Sequence, residues 1–247
     1  MKFNVLTLFP QMINDYLNYS IIKRACENNL IFVNTINPRD FTTNKHKKVD
    51  DTVYGHDAGM LLQVQPFIDA LNSIEKQENS QTIIMSPDGE EYNQEMAFEF
   101  SKLNSLNIIC GHYEGFDERI KIISKARVVS MGDYILTGGE LGALSIIDSV
   151  SRLIPNVLGK AESFINESFS EYLLEAPQYT KPREFMGINV PDVLLNGNHR
   201  EIYIWKRTQQ IKKTKELRPD LFYKFLKSKL SKDDIKILKD LNIGIFT

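Results

Sequence analysis

The chain has 247 residues, 42% of them hydrophobic and 25% charged, with a formal net charge of -2. That is the balance of an ordinary soluble protein, large enough for one sizeable core or two modest ones. Two cysteines, Cys26 and Cys110, exclude a disulfide framework or cysteine zinc site, and the apolar run in MKFNVLTLFP is too short for a secretion signal or membrane span, so a cytoplasmic protein in a reducing compartment is expected.

In chain order, residues 3–9 read as a first strand, and residues 11–28 as a helix with Met12, Tyr16, Tyr19, Ile22 and Cys26 along one side. Residues 30–36 form a second strand, closed by Asn37-Pro38. From Arg39 to Met60 all periodicity is lost, and a polar loop of this length points to function or disorder. A helix is expected over 65–74, a strand over 82–85 entering the turn Ser86-Pro87-Asp88-Gly89, a helix over 95–103, and a strand over 107–110 entering Gly111-His112-Tyr113-Glu114-Gly115.

Residues 126–155 organise the rest. The β-branched Val128-Val129 reads as a buried strand. A loop with three glycines follows over 130–139, and then a helix with Leu141, Leu144, Ile147, Val150 and Ile154 three or four apart, stopped by Pro155. Strand, glycine loop and helix start describe either a ligand site with free amides or a tight turn holding nothing. Strands alternating with helices imply an α/β fold with a mostly parallel sheet. Three strands there end in loops carrying Gly or Pro, after Met85, Cys110 and Ser130, and ligands bind beyond the carboxyl ends of such strands. No G-x-G-x-x-G follows the first strand and no P-loop pattern occurs, which excludes the usual dinucleotide and nucleoside-triphosphate sites.

The charge is unevenly spread. From Arg200 onward there are 13 Lys+Arg against 6 Asp+Glu, which leaves 17 against 26 in the remainder. A basic tail on an acidic body suits an anionic macromolecular partner, the alternative being a solvated lysine-rich surface. Helix-like sequence opens at His199 and runs through Trp205, with Trp205 expected in a core. Two short amphipathic helices over 221–230 and 231–241 follow, the second capped by Ser231. Residues 160–172 are polar with scattered aromatics and read as a linker. The four histidines show no metal-binding spacing, so no metal site is expected.

GHYEGFDERI (111–120), SMGDYILTGGELGAL (130–144), SRLIPNVLG (151–159), APQYTKP (176–182) and VLLNGNH (193–199) together resemble the bacterial tRNA (guanine-N1)-methyltransferase family, TrmD, of the SPOUT class. VDDTVYGHDAGMLLQVQP (49–66) and the opening TLFP fit it too, so the resemblance spans nearly the whole chain. It implies a deep C-terminal trefoil knot in the parallel sheet, followed by a small all-α basic domain. The implied division is a knotted S-adenosylmethionine-binding domain over 1–160, a flexible linker over 161–174 and a helical tRNA-binding domain over 175–247.

The implied activity is methylation of N1 of guanosine 37, next to the tRNA anticodon, by a homodimer with a shared active site. The methyl donor, S-adenosylmethionine, is expected among Met85, Ser86 and Pro87, then Gly111, Tyr113, Glu114 and Gly115, then Met131, Gly132, Asp133, Tyr134, Ile135, Leu136, Gly138 and Gly139. Main-chain amides and carbonyls at such loops can read adenine, and Glu114 adds a carboxylate for a cationic donor, unless it serves only as a surface or cap residue. The basic tail would meet the anticodon stem-loop. Magnesium for turnover is a family possibility with no visible carboxylate cage.

The chemistry requires a base for the weakly acidic N1 proton and a cation for the charge that develops on O6. The family assigns these to an aspartate after the knot and an arginine near the end of the long helix. The matching positions are Glu167 and Arg152, so the base position departs from the pattern by one methylene. Arg152 would also suit a helix C-terminus without any catalytic role. Other classes stay open: a SPOUT enzyme acting on a ribose 2′-oxygen or another base, or a catalytically silent RNA-binding homologue.

Overall fold

The computed structural model describes residues 1–55, 59–159 and 167–244. They fall into two compact units divided between residues 161 and 162.

In the first unit, β1 (Lys2–Leu6) is followed by α1 (Pro10–Tyr16), α2 (Ser20–Glu27) and β2 (Phe32–Ile36). The single helix expected over 11–28 is two. Asn18 Nδ2 donates to the Asn14 carbonyl at 3.1 Å, and Ser20 takes a positive φ of 51°. Short polar side chains that compete for backbone partners break the ladder there. The loop expected to lack structure over 39–60 contains a 3-10 turn at Pro38–Asp40 and a short antiparallel pair, β3 (Asp50–Thr52) with β4 (Met60–Leu62). Three-residue strands are too short to leave a readable alternation.

Next come α3 (Val64–Asn72), β5 (Ser80–Glu91), α4 (Gln94–Phe100), β6 (Ser105–Ile109), α5 (Arg119–Ser124), β7 (Arg127–Ser130) and α6 (Glu140–Ser151). The main sheet runs β2-β1-β6-β5-β7 with every neighbouring pair parallel. Its two faces carry different cores. Phe3, Val5, Ile83 and Ile108 pack with α1, α2, α4 and α6, while Leu6, Ile84 and Ile109 pack with Phe67 of α3 and Ile120 of α5.

β5 is longer than expected because it meets β7 twice. Met85 and Glu90 both pair with Val129, and Ser86 to Gly89 bulge out between them. Gly89 permits this, since a Cβ there would lie 2.5 Å from the Val129 backbone nitrogen. The α6 stripe is also shifted. Gly142, Ala143, Ile146, Ile147 and Val150 are buried, whereas Leu141 is 50% exposed.

The second unit contains a small hairpin, β8 (Glu184–Phe185) with β9 (Ile188–Asn189), and the helices α7 (His199–Leu217), α8 (Pro219–Lys227) and α9 (Lys232–Asp240). It is therefore not purely helical. The tip residues Met186 and Gly187 take positive φ, the two-residue turn such a hairpin needs. α7 continues well past Trp205 although its sequence is polar, because only Ile211 and Thr214 are buried along it.

Leu173, Ile211, Phe222, Phe225, Ile237 and Leu238 form the core of this unit. Trp205 is half-buried against Tyr179, 6.5 Å between ring centroids, rather than within that core. Residues 160–166 of the expected linker lie outside the described residues. Beyond them, the Phe169 N–H donates to the Leu173 carbonyl at 2.9 Å, and Leu173 is buried in the core.

Candidate active site

The loops after β5, β6 and β7 meet at the carboxyl edge of the sheet and enclose a cleft of about 380 Å³. That edge is where ligands bind in parallel sheets, because several strand ends present free backbone groups together. Met85 comes from the paired part of β5, Ser86 and Pro87 from its bulge, Gly111, Tyr113, Glu114 and Gly115 from the β6 loop, and Met131, Tyr134, Ile135, Leu136, Gly138 and Gly139 from the β7 loop.

Gly132 and Asp133 do not line the cleft. They make the turn behind it, where Gly132 N–H donates to Ser130 Oγ at 3.2 Å and the Gly132 carbonyl accepts from Tyr134 N–H at 2.9 Å. Thr137, inside the expected 131–139 loop, lines the cleft too, and the lining residues outside the expected set are His112, Phe116, Lys121, Val129, Ser130 and Gly142. His112 lies in GHYEGFDERI between the two glycines that mark the end of β6, with no spacing of its own to set it apart.

Glycines let the loops touch. Gly139 N–H donates to the Gly111 carbonyl at 2.9 Å. A Cβ on Gly139 would lie 2.9 Å from Cys110 Cα and 3.0 Å from Met85 Cβ. The β6 loop is held from its other side by β4: Glu114 N–H donates to the Met60 carbonyl at 3.1 Å and Leu62 N–H to the Gly115 carbonyl at 3.0 Å. Glu114 reaches back over Gly59, where an added Cβ would collide with its side chain.

The electrostatics are local and paired. Lys121 bridges Asp88 at 2.7 Å and Glu118 at 3.0 Å, so the β5 bulge is tied to α5. Its partial burial favours the neutral amine, but the two carboxylates outweigh that and raise its pKa. The same Lys121 contact, helped by Ser86, holds the Asp88 carboxyl below the usual range. Cys110, buried beneath the cleft and near the Glu140 carboxylate, is pushed well above an ordinary thiol, which makes it a packing group and not a nucleophile.

Arg152 caps the C-terminus of α6, its N–H donating to the Asp148 carbonyl at 3.1 Å. Glu167 heads a turn in which its carbonyl accepts from Ser170 Oγ at 2.8 Å. Arg152 belongs to the first unit and Glu167 to the second.

A second cleft, about 580 Å³, lies within the helical unit among Tyr172, Tyr203, Lys206, Arg207, Lys229 and Asp234. Its central charge is already neutralised, because Arg207 pairs with Asp234 at 2.6 Å and Glu171 at 2.7 Å. The strand-end cleft, with its exposed loop backbone and open apolar side chains (Ile135 is 80% exposed), is the better ligand site. Among the described residues no group of three His, Cys, Asp or Glu side chains converges to hold a metal. Among them, too, no helix is long and apolar enough to cross a membrane.

Comparison with known proteins gives the chain's family. The family model for tRNA (guanine-1)-methyltransferase TrmD matches residues 1–224. A protein of Clostridium perfringens strain 13 named tRNA (guanine-N(1)-)-methyltransferase is 50% identical over 239 residues, covering 97% of this chain and 99% of that protein. A protein of the same name from Staphylococcus aureus strain JH9 is 48% identical over 245 residues, covering 99% of each. The chain belongs to the tRNA (guanine-1)-methyltransferase TrmD family.

Proposed function

We propose that this family member transfers a methyl group from S-adenosylmethionine to N1 of guanosine 37 in tRNA, beside the anticodon. It is an enzyme, a tRNA guanine-N1 methyltransferase, as its family and relatives are named. The donor occupies the strand-end cleft. The residues there fit an adenosyl sulfonium: loop backbone at 86–87, 111–115, 131 and 134–139 for the adenine edge, apolar side chains such as Ile135 and Leu136 for its faces, and the Glu114 carboxylate for the positive sulfur. When bound, S-adenosylmethionine supplies an electrophilic methyl group.

The chain supplies the proton chemistry and the positioning. Guanine N1 is a poor nucleophile while protonated, so a carboxylate must accept its proton as the bond forms. Glu167 has that role in this reading, in place of the aspartate of the family pattern, with carboxylate basicity nearly unchanged. Negative charge passes to O6, where the fixed guanidinium of Arg152 stabilises it. The knot of the SPOUT class, a homodimer with a shared active site, a linker that carries Glu167, and cytoplasmic residence complete the proposal. The basic helical unit takes the phosphates of the anticodon stem-loop.

The observation that carries the reading is the meeting of three glycine-bearing loops beyond β5, β6 and β7, in a chain of this family. The test is transfer of labelled methyl from S-adenosylmethionine to unmodified tRNA. Incorporation that disappears when guanosine 37 is replaced supports the proposal. Incorporation that persists, or that maps to a ribose 2′-oxygen, favours another SPOUT activity.

A further inference from the structure

Behind the donor cleft, two buried polar groups face one gap. Glu140, at the start of α6, is 3% exposed, and one of its oxygens accepts from Thr7 Oγ1 at 2.7 Å. His112 Nδ1 is buried with no hydrogen-bond partner among the described residues. A Cβ placed on Gly138 would collide with Glu140 Oε2 and lie 2.6 Å from His112 Nδ1. The carboxylate oxygen and the imidazole nitrogen are thus separated only by the room that one absent methyl group would fill.

The imidazole is clamped elsewhere. Its ring packs on Phe9 at 4.8 Å and edge-on to Tyr113 at 5.3 Å between centroids. The backbone of His112 pairs with that of Gly138 in an isolated antiparallel bridge. A buried nitrogen without a partner is costly, and a mostly buried carboxylate whose side-chain donor among the described residues is the Thr7 hydroxyl gains from a second donor. One hydrogen bond between them would relieve both, and the orienting of a histidine by a carboxylate on its far nitrogen is a general device for fixing its tautomer.

We infer that His112 is a positioning residue of the cleft: its Nδ1–H tautomer is directed at Glu140, and contraction of the 111–115 loop onto the donor closes the pair across Gly138. The bond locks the β6 loop to the N-terminus of α6 and leaves Nε2 as a bare acceptor for a hydroxyl or exocyclic amine of the adenosyl group. The inference rests on reading the cleft as the donor site, but the tautomer itself is measured without donor.

The experiment is long-range proton–nitrogen NMR on the full chain with labelled histidine, first alone and then saturated with S-adenosylmethionine. The free protein should show His112 protonated at Nδ1, with that proton moving downfield when donor is added. Glu140→Leu, which removes the acceptor at similar size, should release the ring toward the Nε2–H tautomer. His112→Phe, which keeps an aromatic ring against Phe9, should weaken donor binding about tenfold. An Nε2–H tautomer in the unaltered protein, a tautomer indifferent to Glu140→Leu in a folded variant, or donor binding unaffected by His112→Phe overturns the inference. Failure of the unaltered chain to bind S-adenosylmethionine would instead remove the donor reading, while the free-protein tautomer still decides the pairing.

Discussion

Replacing Gly139 with alanine isolates the close approach of the loops from every other property of that position. Gly139 has φ -80° and ψ -7° at the start of α6, a conformation alanine adopts without strain, so no backbone penalty arises. The added Cβ would stand 2.9 Å from Cys110 Cα, 3.0 Å from Met85 Cβ and 3.1 Å from Gly111 N. Carbon atoms prefer separations of about 3.5–4.0 Å, and all three neighbours are backbone atoms or fixed to it. The 137–139 loop must therefore retreat by roughly 0.5 Å and stretch the Gly139 N–H to Gly111 carbonyl bond.

A displacement of about 1 Å in a positioned site lowers function about 100-fold. Half that displacement should weaken S-adenosylmethionine binding about tenfold to thirtyfold, or about 1.4–2 kcal/mol. Calorimetric titration of the purified protein reads this directly. Gly115→Ala is the contrast: its φ is +106° with nothing within 4 Å of an added Cβ, so it adds backbone strain of about 1–3 kcal/mol and no clash. Gly139→Ala binding the donor as tightly as the unaltered chain would refute the claim that this contact shapes the cleft.

Three further outcomes are expected. Glu167→Gln should nearly abolish methyl transfer while donor affinity by calorimetry stays unchanged; turnover at the unaltered rate would remove Glu167 as the base. Asp234→Asn should destabilise the helical unit by about 1–3 kcal/mol in denaturant unfolding, because it takes from the buried Arg207 one of its two carboxylates, leaving only Glu171, and weakens the Ser231 cap. Burial favours the neutral Asp234 acid, but Arg207 and Ser231 outweigh it and hold the carboxyl below the usual range. Its contribution is therefore fully present above the ordinary carboxylate pKa and is lost as pH falls through the lowered native value, so the deficit of the variant should shrink only in strong acid. A deficit that vanishes near neutral pH would contradict this. Lastly, Lys212→Gln and Lys215→Gln, both at exposed positions, should each reduce the salt slope of tRNA binding by about 0.7–0.9, as expected for a lost phosphate contact; an unchanged slope would place the RNA elsewhere.

The parallel sheet and the three loops that line the cleft were readable because glycine and proline mark strand ends in the sequence whatever packs around them. The break between α1 and α2 was not, since Asn18 and Ser20 leave an apolar spacing that reads as one helix. The β3–β4 and β8–β9 pairs, with three and two residues per strand, are shorter than any alternation a reader can count. The Glu140 and His112 juxtaposition was invisible for another reason: it depends on Gly138 holding two distant segments one side chain apart, and a pattern of residue types carries no such distance. Trp205, expected in a core in preference to stacking on a base, sits at the margin because Leu173 and the phenylalanines of α8 fill the centre of that unit.

The central claim, that loops at the ends of β5, β6 and β7 hold the methyl donor, is tested most directly by amide hydrogen exchange with and without S-adenosylmethionine. Exchange should slow over 85–89, 111–115 and 131–142, and stay unchanged in α8 and α9. Protection confined to the helical unit, or absent at saturating donor, would contradict it.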